Sequence, residues 1–367
     1  MRIGVIGLGA MGLGIAQVFA QVGHQVTATD AQAPARETAL SRMAQALAPR
    51  VAKGAMTEGE RDAVLSRLRI ASRLEEIAPA DLVIEAVVER LAVKQAVFSV
   101  LEPLLSPDAV LATNTSSLSV ASIAQGLERP GRVLGLHFFN PAPVMKLVEL
   151  IPHAGTDPSA LTLARALAEG AGKTVVTAPD RPGFIVNRCA RPFYGEALAL
   201  LEEGRPAAEV DAAMVAAGYR LGPFALIDLV GADINLAATE SLAAAMGGHP
   251  RYHVFAALKA QVARGDLGRK TGRGFVTGKA PAPGDAAALA LRIEATLVNE
   301  AAWLLAEGGV SEADIDTALR LGLNFPRGPF EALAQYGRET VRETLAGLEA
   351  SAPDHLKGRY APAPLLA

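Results

Sequence analysis

The chain has 367 residues, half of them hydrophobic, and its formal net charge is only -3. This length allows two or three domains, each with its own core. Mixed charges without a basic cluster argue against a nucleic-acid partner, and the lack of an acidic run argues against a disordered tail. The single cysteine, Cys189, excludes an intrachain disulfide. No Cys/His cluster has zinc-ligand spacing, so we expect no metal.

The start of the chain and its apolar runs indicate where the protein works. Met1 leads almost directly into a predicted strand, without the features of a signal peptide. No apolar run approaches the roughly 20 residues that span a bilayer. We therefore expect a cytoplasmic protein with no membrane partner.

The first motif is a strand, a glycine turn and a helix. Apolar residues 2–6 form the predicted strand, and apolar positions after residue 12 recur at helical spacing. Gly7 permits a tight turn, Gly9 lets the backbone approach a pyrophosphate, and Gly12 lets helix and strand pack closely. The predicted cofactor-binding turn consists of Gly7, Leu8, Gly9, Ala10, Met11 and Gly12.

The second predicted strand, residues 25–29, ends in Asp30. A carboxylate about 20 residues after such a turn accepts hydrogen bonds from a ribose 2'-hydroxyl and repels a 2'-phosphate. The alternative interpretation is a purely structural glycine turn, which would not require an acid at position 30. The pattern predicts NAD rather than NADP as the cofactor.

Strands and helices continue to alternate, which predicts a doubly wound parallel sheet. The predicted strands are 81–86, 110–113, 132–137 and 173–177, and the predicted helices are 35–52, 90–105 and 158–170. Ligands of such sheets bind beyond the carboxyl ends of the strands. Glu85, Asn114 and His137 stand at such ends.

His137 and Glu149 are a candidate catalytic pair. Two apolar runs, 133–136 and 147–151, flank a loop with two prolines, a pattern typical of neighbouring strands joined by a turn. A neutral imidazole can accept a proton, and a carboxylate on its other nitrogen fixes the tautomer. Taken alone, a histidine in an apolar strand is more often a satisfied core residue.

Several further motifs occur in order between residue 1 and about residue 278. They are Glu89 to Lys94, Asn114 to Ser117, Gly135 to Pro141 with Glu149, and Pro182 to Arg188. Together with the glycine turn, they make the chain resemble the 3-hydroxyacyl-CoA dehydrogenases. The resemblance implies NAD-dependent oxidation of a 3-hydroxyacyl-CoA to the 3-ketoacyl-CoA.

The resemblance also implies residue roles. His137 is then the catalytic base, Glu149 its partner, Ser116 the catalytic serine and Asn187 the substrate-holding asparagine, with Ser116 and Asn187 both contacting substrate. The positions that match cofactor contacts are Glu89, Lys94, Ser116, Asn140 and Lys270. Without the family, the favoured interpretation of Glu89 and Lys94 is an exposed helix pair, that of residues 114–117 a capping turn, and that of Asn187 a helix start.

An acyl-CoA substrate needs cations at its coenzyme A end. Arg50 and Lys53, at the end of the second predicted helix, are the candidates. Their alternative interpretation is that of solvated charges on an exposed helix face.

The carboxyl-terminal region repeats itself. Residues 196–204 recur at 300–308, an offset of 104, and the Gly-Pro-Phe of 222–224 recurs at 328–330, an offset of 106. Helical spacing in both copies predicts a duplicated helical unit. We expect a Rossmann-type doubly wound domain at 1–181, a first helical unit at 182–278, a linker at 279–284 and a second, degenerate helical unit at 285–367.

The second copy lacks one residue of the predicted site. The repeat pairs Arg188 with Arg292 but Asn187 with Leu291. We therefore expect the second copy to be structural. Single-copy members of the family resemble dimers built through this domain, so the chain is either a homodimer or a monomer with an internal pseudo-dimer of helical repeats.

Within the family, Arg191 to Tyr194 and Gly231 to Asn235 resemble the phenylacetate-pathway branch, which acts on 3-hydroxyadipyl-CoA. The short connection between the two copies departs from that branch. The alternatives are a dehydrogenase of a free 3-hydroxy acid, similar to gulonate 3-dehydrogenase or to the 6-phosphogluconate and 3-hydroxyisobutyrate group, and a non-catalytic NAD-binding redox sensor. Neither the 6-phosphogluconate and 3-hydroxyisobutyrate group nor a redox sensor has need of His137 with Glu149.

Overall fold

A computed structural model describes residues 1–367, which form two compact units. The first unit is Met1–Arg181 and the second is Pro182–Ala367. No helix in either unit combines the length and apolar character needed to cross a bilayer.

The first unit contains one eight-stranded sheet with the strand order β3-β2-β1-β4-β5-β6-β7-β8. The strands are β1 (Arg2–Ile6), β2 (Gln25–Thr29), β3 (Leu68–Ile70), β4 (Leu82–Glu85), β5 (Val110–Thr113), β6 (Val133–Phe138), β7 (Leu147–Ile151) and β8 (Thr174–Thr177). The helices are α1 (Ala10–Gln21), α2 (Ala33–Ala52), α3 (Glu58–Ser66), α4 (Leu91–Leu101), α5 (Val120–Ala124) and α6 (Pro158–Gly170). The first six strands have the doubly wound order, so the predicted Rossmann-type fold is confirmed.

The sheet departs from the predicted all-parallel arrangement at one place. β6 and β7 pair in antiparallel fashion, whereas β7 and β8 pair in parallel. The connection between β6 and β7 is too short for a crossover helix, so the chain can only turn back on itself. Every residue of both strands is buried, which explains their nearly continuous apolar sequence.

The sequence analysis did not predict α3 or β3. A capping box starts α3: the Thr57 hydroxyl accepts from the Glu60 amide at 3.2 Å, and the Glu60 carboxylate accepts from the Thr57 amide at 2.7 Å. The spacing Thr-x-x-Glu was a readable signal for this helix start. β3 has only three residues at the sheet edge, too few to show a period.

The second unit is entirely helical. Its helices are α7 (Val186–Cys189), α8 (Arg191–Glu202), α9 (Ala207–Ala216), α10 (Pro223–Val230), α11 (Ala232–Ala245), α12 (Ala256–Ala263), α13 (Ala286–Ala306), α14 (Glu312–Leu323), α15 (Pro329–Tyr336) and α16 (Arg338–Ser351). The helices α7 to α11 and α13 to α16 are the two copies of the repeat, and α13 packs against α8 and α9 of the first copy. The predicted all-α region of two repeated units is confirmed.

Both copies form the same helix start. In the first, Asp211 accepts from the backbone amides of Phe224 and Ala225 at 2.9 and 2.8 Å. In the second, Asp316 accepts from Phe330 and Glu331 at 2.8 and 3.1 Å. These carboxylates stand where a Cβ on Gly222 or Gly328 would project, so only glycine fits before the proline in each copy.

Reciprocal ion pairs join the two copies. Arg188 donates through Nε to Glu300 at 2.7 Å and through its terminal nitrogens to Glu307 at 2.8 and 2.6 Å. The equivalent residues, Arg292, Glu196 and Glu203, repeat this pattern at 2.7, 2.7 and 2.6 Å. In each pattern the arginine belongs to one copy and both glutamates to the other, as in the two halves of an isologous dimer interface.

The copies differ in their first helix. α13 is continuous, whereas the matching stretch of the first copy is divided between α7 and α8 around Ala190. Pro192 has no amide proton and its ring hinders the preceding turn, and the repeat puts Thr296 in its place. The division lies between Asn187 and Arg191.

Candidate functional site

Two positions of the glycine turn require glycine, whereas at the third a side chain would meet only open space. Gly7 has a φ of 96°, and a Cβ there would overlap the Ala86 carbonyl. A Cβ on Gly12 would overlap the Gly7 carbonyl, which explains the close approach of α1 to β1. A Cβ on Gly9 would meet no protein atom within 4 Å.

Asp30 hydrogen-bonds to the glycine turn itself. Its carboxylate accepts from the Leu8 amide at 2.7 Å and from the Gln32 amide at 2.8 Å. Arg42 donates to the Leu8 carbonyl at 2.8 Å from the other side. Asp30 therefore fixes the turn in addition to standing at the end of β2, where the ribose contact is predicted.

His137 and Glu149 face each other across the β6–β7 pair. They are direct register partners, and His137 Nδ1 lies 2.7 Å from Glu149 Oε2. The Glu149 side chain is fully buried and that of His137 is 8% exposed. Because an ionised carboxylate only accepts, it selects the tautomer with hydrogen on Nδ1 and leaves Nε2 as the basic nitrogen.

Asn114 links the end of β5 to the end of β6. Its side-chain oxygen accepts from the Phe138 amide at 2.8 Å, directly after His137. The Phe139 ring packs against the His137 imidazole, and the two ring centroids lie 4.5 Å apart. The strand end that carries His137 is thus fixed by hydrogen bonding and by packing.

Glu89 organises the turn that contains Ser116. One of its carboxylate oxygens accepts from the Thr115 hydroxyl at 2.6 Å and from the Ser116 and Ser117 amides at 2.9 and 3.2 Å. Burial alone would raise the pKa of Glu89, but the ammonium of Lys94 and these hydrogen bonds lower it below its ordinary value. Glu89 is therefore ionised at neutral pH.

Lys94 is buried rather than exposed. Only 1% of its side chain reaches solvent, and its ammonium lies 2.8 Å from Glu85 and 3.1 Å from Glu89. Glu85, fully buried at the end of β4, also accepts from the Thr113 hydroxyl at 2.8 Å and the Val87 amide at 2.7 Å. The alternative of an ordinary exposed helix pair does not hold, because Lys94 connects two carboxylates beside the Ser116 turn.

Sequence reasoning placed Glu85 at a strand end but gave it no role. The readable signal was an acid that closes the apolar run of β4, nine residues before a lysine on the next helix. Since a buried carboxylate needs compensation, the lysine could have been assigned as its partner. A direct cofactor contact of Lys94 stays a prediction.

The remaining predicted residues are described here by their own surroundings. Asn140 is exposed and precedes a cis peptide bond to Pro141. Arg50 and Lys53 are exposed at the end of α2. Lys270 belongs to the helical unit, where its ammonium lies 2.5 and 2.6 Å from the two carboxylate oxygens of Asp233. Asn187 lies in α7 of the same unit.

No group of three or more His, Cys, Asp or Glu side chains could hold a metal ion. A glycine turn on a doubly wound sheet, with a histidine and a carboxylate paired at neighbouring strands, defines the class as a dinucleotide-dependent oxidoreductase.

Family models identify the particular group. The model described as 3-hydroxyacyl-CoA dehydrogenase, NAD binding domain, matches residues 2–181, and the model described as 3-hydroxyacyl-CoA dehydrogenase, C-terminal domain, matches residues 183–278 and again 289–367. The chain belongs to the 3-hydroxyacyl-CoA dehydrogenase family. Two matches of one model also show that the carboxyl-terminal domain is present twice.

The names of similar proteins agree with this assignment. The chain is 34% identical to the 3-hydroxyadipyl-CoA dehydrogenase of Escherichia coli K12, over 99% of this chain and 96% of that protein. It is 41% identical to the probable 3-hydroxybutyryl-CoA dehydrogenase of Bacillus subtilis, over 75% of this chain and 96% of that protein. The first relationship includes both helical copies.

The fold has been observed in a crystal structure. The 3-hydroxybutyryl-CoA dehydrogenase of Escherichia coli K12 matches with a TM-score of 0.93 and 33% identity, covering all of this chain and 97% of that one. The chain is thus an oxidoreductase with an NAD-binding domain, and the alternative of a non-catalytic sensor has no support among these relatives.

Proposed function

We propose that this enzyme uses NAD to oxidise a 3-hydroxyacyl-CoA to the 3-ketoacyl-CoA, with His137 as general base. The single observation that carries the proposal is the 2.7 Å contact of His137 with the buried Glu149. The family assignment and the names of the relatives support the substrate class.

His137 removes the proton of the substrate's C3 hydroxyl through Nε2. The proton moves to the imidazole as the C3–O bond becomes a carbonyl, and the resulting imidazolium is stabilised by Glu149. Burial of Glu149 strengthens this effect, because few water molecules screen the two charges. A rate factor of about 10²- to 10⁴-fold is typical of such a base.

Ser116 and Asn187 orient the same oxygen in this proposal. Glu89 fixes the backbone of Ser116, so the serine side chain starts from a defined position. Lys94 and Glu85 in turn fix Glu89. A short chain of charged contacts therefore supports the residue that would hydrogen-bond the reacting oxygen, which favours a near-attack geometry.

The residues of the glycine turn fit NAD. Position 9 has room for a pyrophosphate at the start of α1, and Asp30 stands at the end of β2 with its position fixed by two amides. NAD, when bound, supplies the hydride acceptor. The further cofactor contacts that we propose, Glu89, Lys94, Ser116, Asn140 and Lys270, rest on the family resemblance.

At the coenzyme A end, Arg50 and Lys53 are exposed cations for which no ion pair is found, which supports a role in contacting phosphate groups.

The helical region supports a proposal about assembly. The reciprocal ion pairs of Arg188 and Arg292 indicate that the second copy takes the place of a partner subunit's domain, giving an internal pseudo-dimer.

The direct test is NADH absorbance after the protein is mixed with NAD and 3-hydroxybutyryl-CoA. We expect turnover by the wild type, a 10²- to 10⁴-fold loss of kcat in His137→Ala and about a 10²-fold loss in Glu149→Gln. His355→Ala, a change at an exposed histidine of the helical unit, is the matched control and should match the wild type. If His137→Ala keeps most of its activity, the proposed base is wrong. Equal turnover of free 3-hydroxybutyrate would favour the free-acid alternative.

A further inference from the structure

Arg191 is an arginine of the helical unit without a carboxylate partner. Its Nε donates to the Asn187 carbonyl at 3.1 Å and its Nη1 donates to the Thr239 hydroxyl at 3.0 Å. Its guanidinium carbon lies 4.9 Å from the centre of the Tyr194 ring. Both hydrogen-bond acceptors are neutral, so nothing of opposite charge compensates the guanidinium.

The other well-packed arginines of this unit differ from Arg191. Each of them contacts a glutamate at 3.4 Å or less: Arg188, Arg251, Arg292, Arg327 and Arg359. Burial lowers the pKa of Arg191, and only Tyr194 acts in the opposite direction. A partly buried cation that lacks an acid is costly unless an anion from elsewhere joins it.

The second copy of the repeat serves as an internal control. At an offset of 104, Asn187 and Arg191 correspond to Leu291 and the buried Ala295. At the offset of 106 that relates Gly231 to Gly337, Asn235 and Thr239 of α11 correspond to Val341 and Leu345, both fully buried. Four polar positions of the first copy are thus apolar in the second, where the same helices only pack.

Asn235 and Thr239 are polar residues of α11 that only the first copy has. Asn235 is 4% exposed. Thr239 lies one turn further along the same face of α11, donates to the Asn235 carbonyl at 2.7 Å and accepts from Arg191, so it fixes the position of the guanidinium.

We propose that Arg191, its guanidinium held in place by Thr239, binds the terminal carboxylate of a short dicarboxylic 3-hydroxyacyl thioester. This inference rests on the proposed function, because it takes Asn187 as the residue that holds the C3 oxygen. Arg191 is partly exposed, so an anion can reach it. A guanidinium is suited to a carboxylate because its donors form a planar fork.

The closeness of Asn187 and Arg191 favours a short chain of about six carbons. Arg191 Nε donates to the Asn187 carbonyl at 3.1 Å, so the two residues are direct neighbours although the helix is divided between them. Three carbon–carbon bonds separate C3 from the terminal carboxylate carbon of such a substrate. A monocarboxylic chain of equal length would place a methyl group beside the cation, which disfavours it.

The test compares kcat/KM for 3-hydroxyadipyl-CoA and 3-hydroxyhexanoyl-CoA, two thioesters that differ only at the end of the acyl chain. We expect the wild type to prefer the adipyl compound by at least 10-fold. In Arg191→Met that ratio should fall about 10- to 100-fold, whereas Arg338→Met, at an exposed arginine of α16, should leave the ratio as it is.

Two further variants separate recognition from folding. Arg191→Lys keeps the charge without the fork and should retain part of the preference, and Thr239→Val should lower the ratio by a smaller factor. Equal losses on both substrates in Arg191→Met, or no preference in the wild type, would overturn the carboxylate subsite alone. Failure of the wild type to oxidise either thioester would overturn the proposed function and this inference with it.

Discussion

The two helical copies share their skeleton and differ in their polar residues. Both keep the Asp–Gly–Pro helix start, and both contribute an arginine and two glutamates to the reciprocal pairs. Only the first has Asn187, Arg191, Asn235 and Thr239. The shared residues are those that hold the unit together, so the residues that differ are the ones whose role must be sought outside packing.

Removal of the second copy should have the largest effect. A chain ending at Gly284 loses the helix that packs on α8 and α9 and leaves Arg188 and Glu196 without their partners. We expect insolubility or pairing of two truncated chains, because the apolar faces of α8 and α9 that α13 covers become exposed. Size-exclusion chromatography with light scattering reports the outcome. A soluble, active, monomeric truncation would refute the internal pseudo-dimer.

Loss of one buried carboxylate should be costly to the same degree in either copy. Glu196→Gln and Glu300→Gln each leave a buried arginine short of charge, at a cost of roughly 3 kcal/mol. Trp303, the only tryptophan, lies in α13, so its fluorescence during urea unfolding reports on the helical unit. The exposed Glu343→Gln is the control and should cost almost nothing. Unequal losses in the free energy of unfolding would show that the two sets of ion pairs contribute differently to stability despite their matching geometry.

The smallest expected effect is a pH dependence shared by the two helix starts. Burial raises the pKa of Asp211 to about 6 and also raises the pKa of Asp316. At each carboxylate the two amide hydrogen bonds act in the opposite direction but do not outweigh burial. Because the folded state then holds a proton that the unfolded state releases, the contribution of Asp211 falls as pH rises from about 4 to about 6. The free energy of unfolding of the wild type relative to Asp211→Asn should decrease by about 2 kcal/mol across this range.

Urea unfolding at several pH values measures this difference. Asp316→Asn should show the same sign with a smaller amplitude, since Asp316 is less enclosed. A difference that grows with pH would mean that the amide hydrogen bonds, rather than burial, dominate at these carboxylates.

Much of the fold was readable from local patterns. Apolar runs predicted β6 at 132–137, where the structure has Val133–Phe138, and helical spacing predicted α2 at 35–52, where it has Ala33–Ala52. The internal repeat was readable because the copies still share short identical stretches. The antiparallel direction of β7 was readable as well, because the connection from β6 is too short for a crossover helix.

The site was readable where residues lie close in sequence and hidden where they do not. Twelve residues separate His137 from Glu149, and the two strands between which they pair were recognisable. The pairing of Arg188 with Glu300, 112 residues apart, depends on how helices pack and leaves no local pattern. The absence of an acid beside Arg191 could be known only once all its neighbours were placed.

The pairing of His137 with Glu149 depends on the length of the 139–146 loop. Side chains alternate between the two faces of a strand, so β7 displaced by one residue would present Val148 or Leu150 to the imidazole. Glu149 would then face the opposite side of the sheet. An insertion or deletion in this loop that shifts β7 would therefore deprive the histidine of its carboxylate without altering either residue.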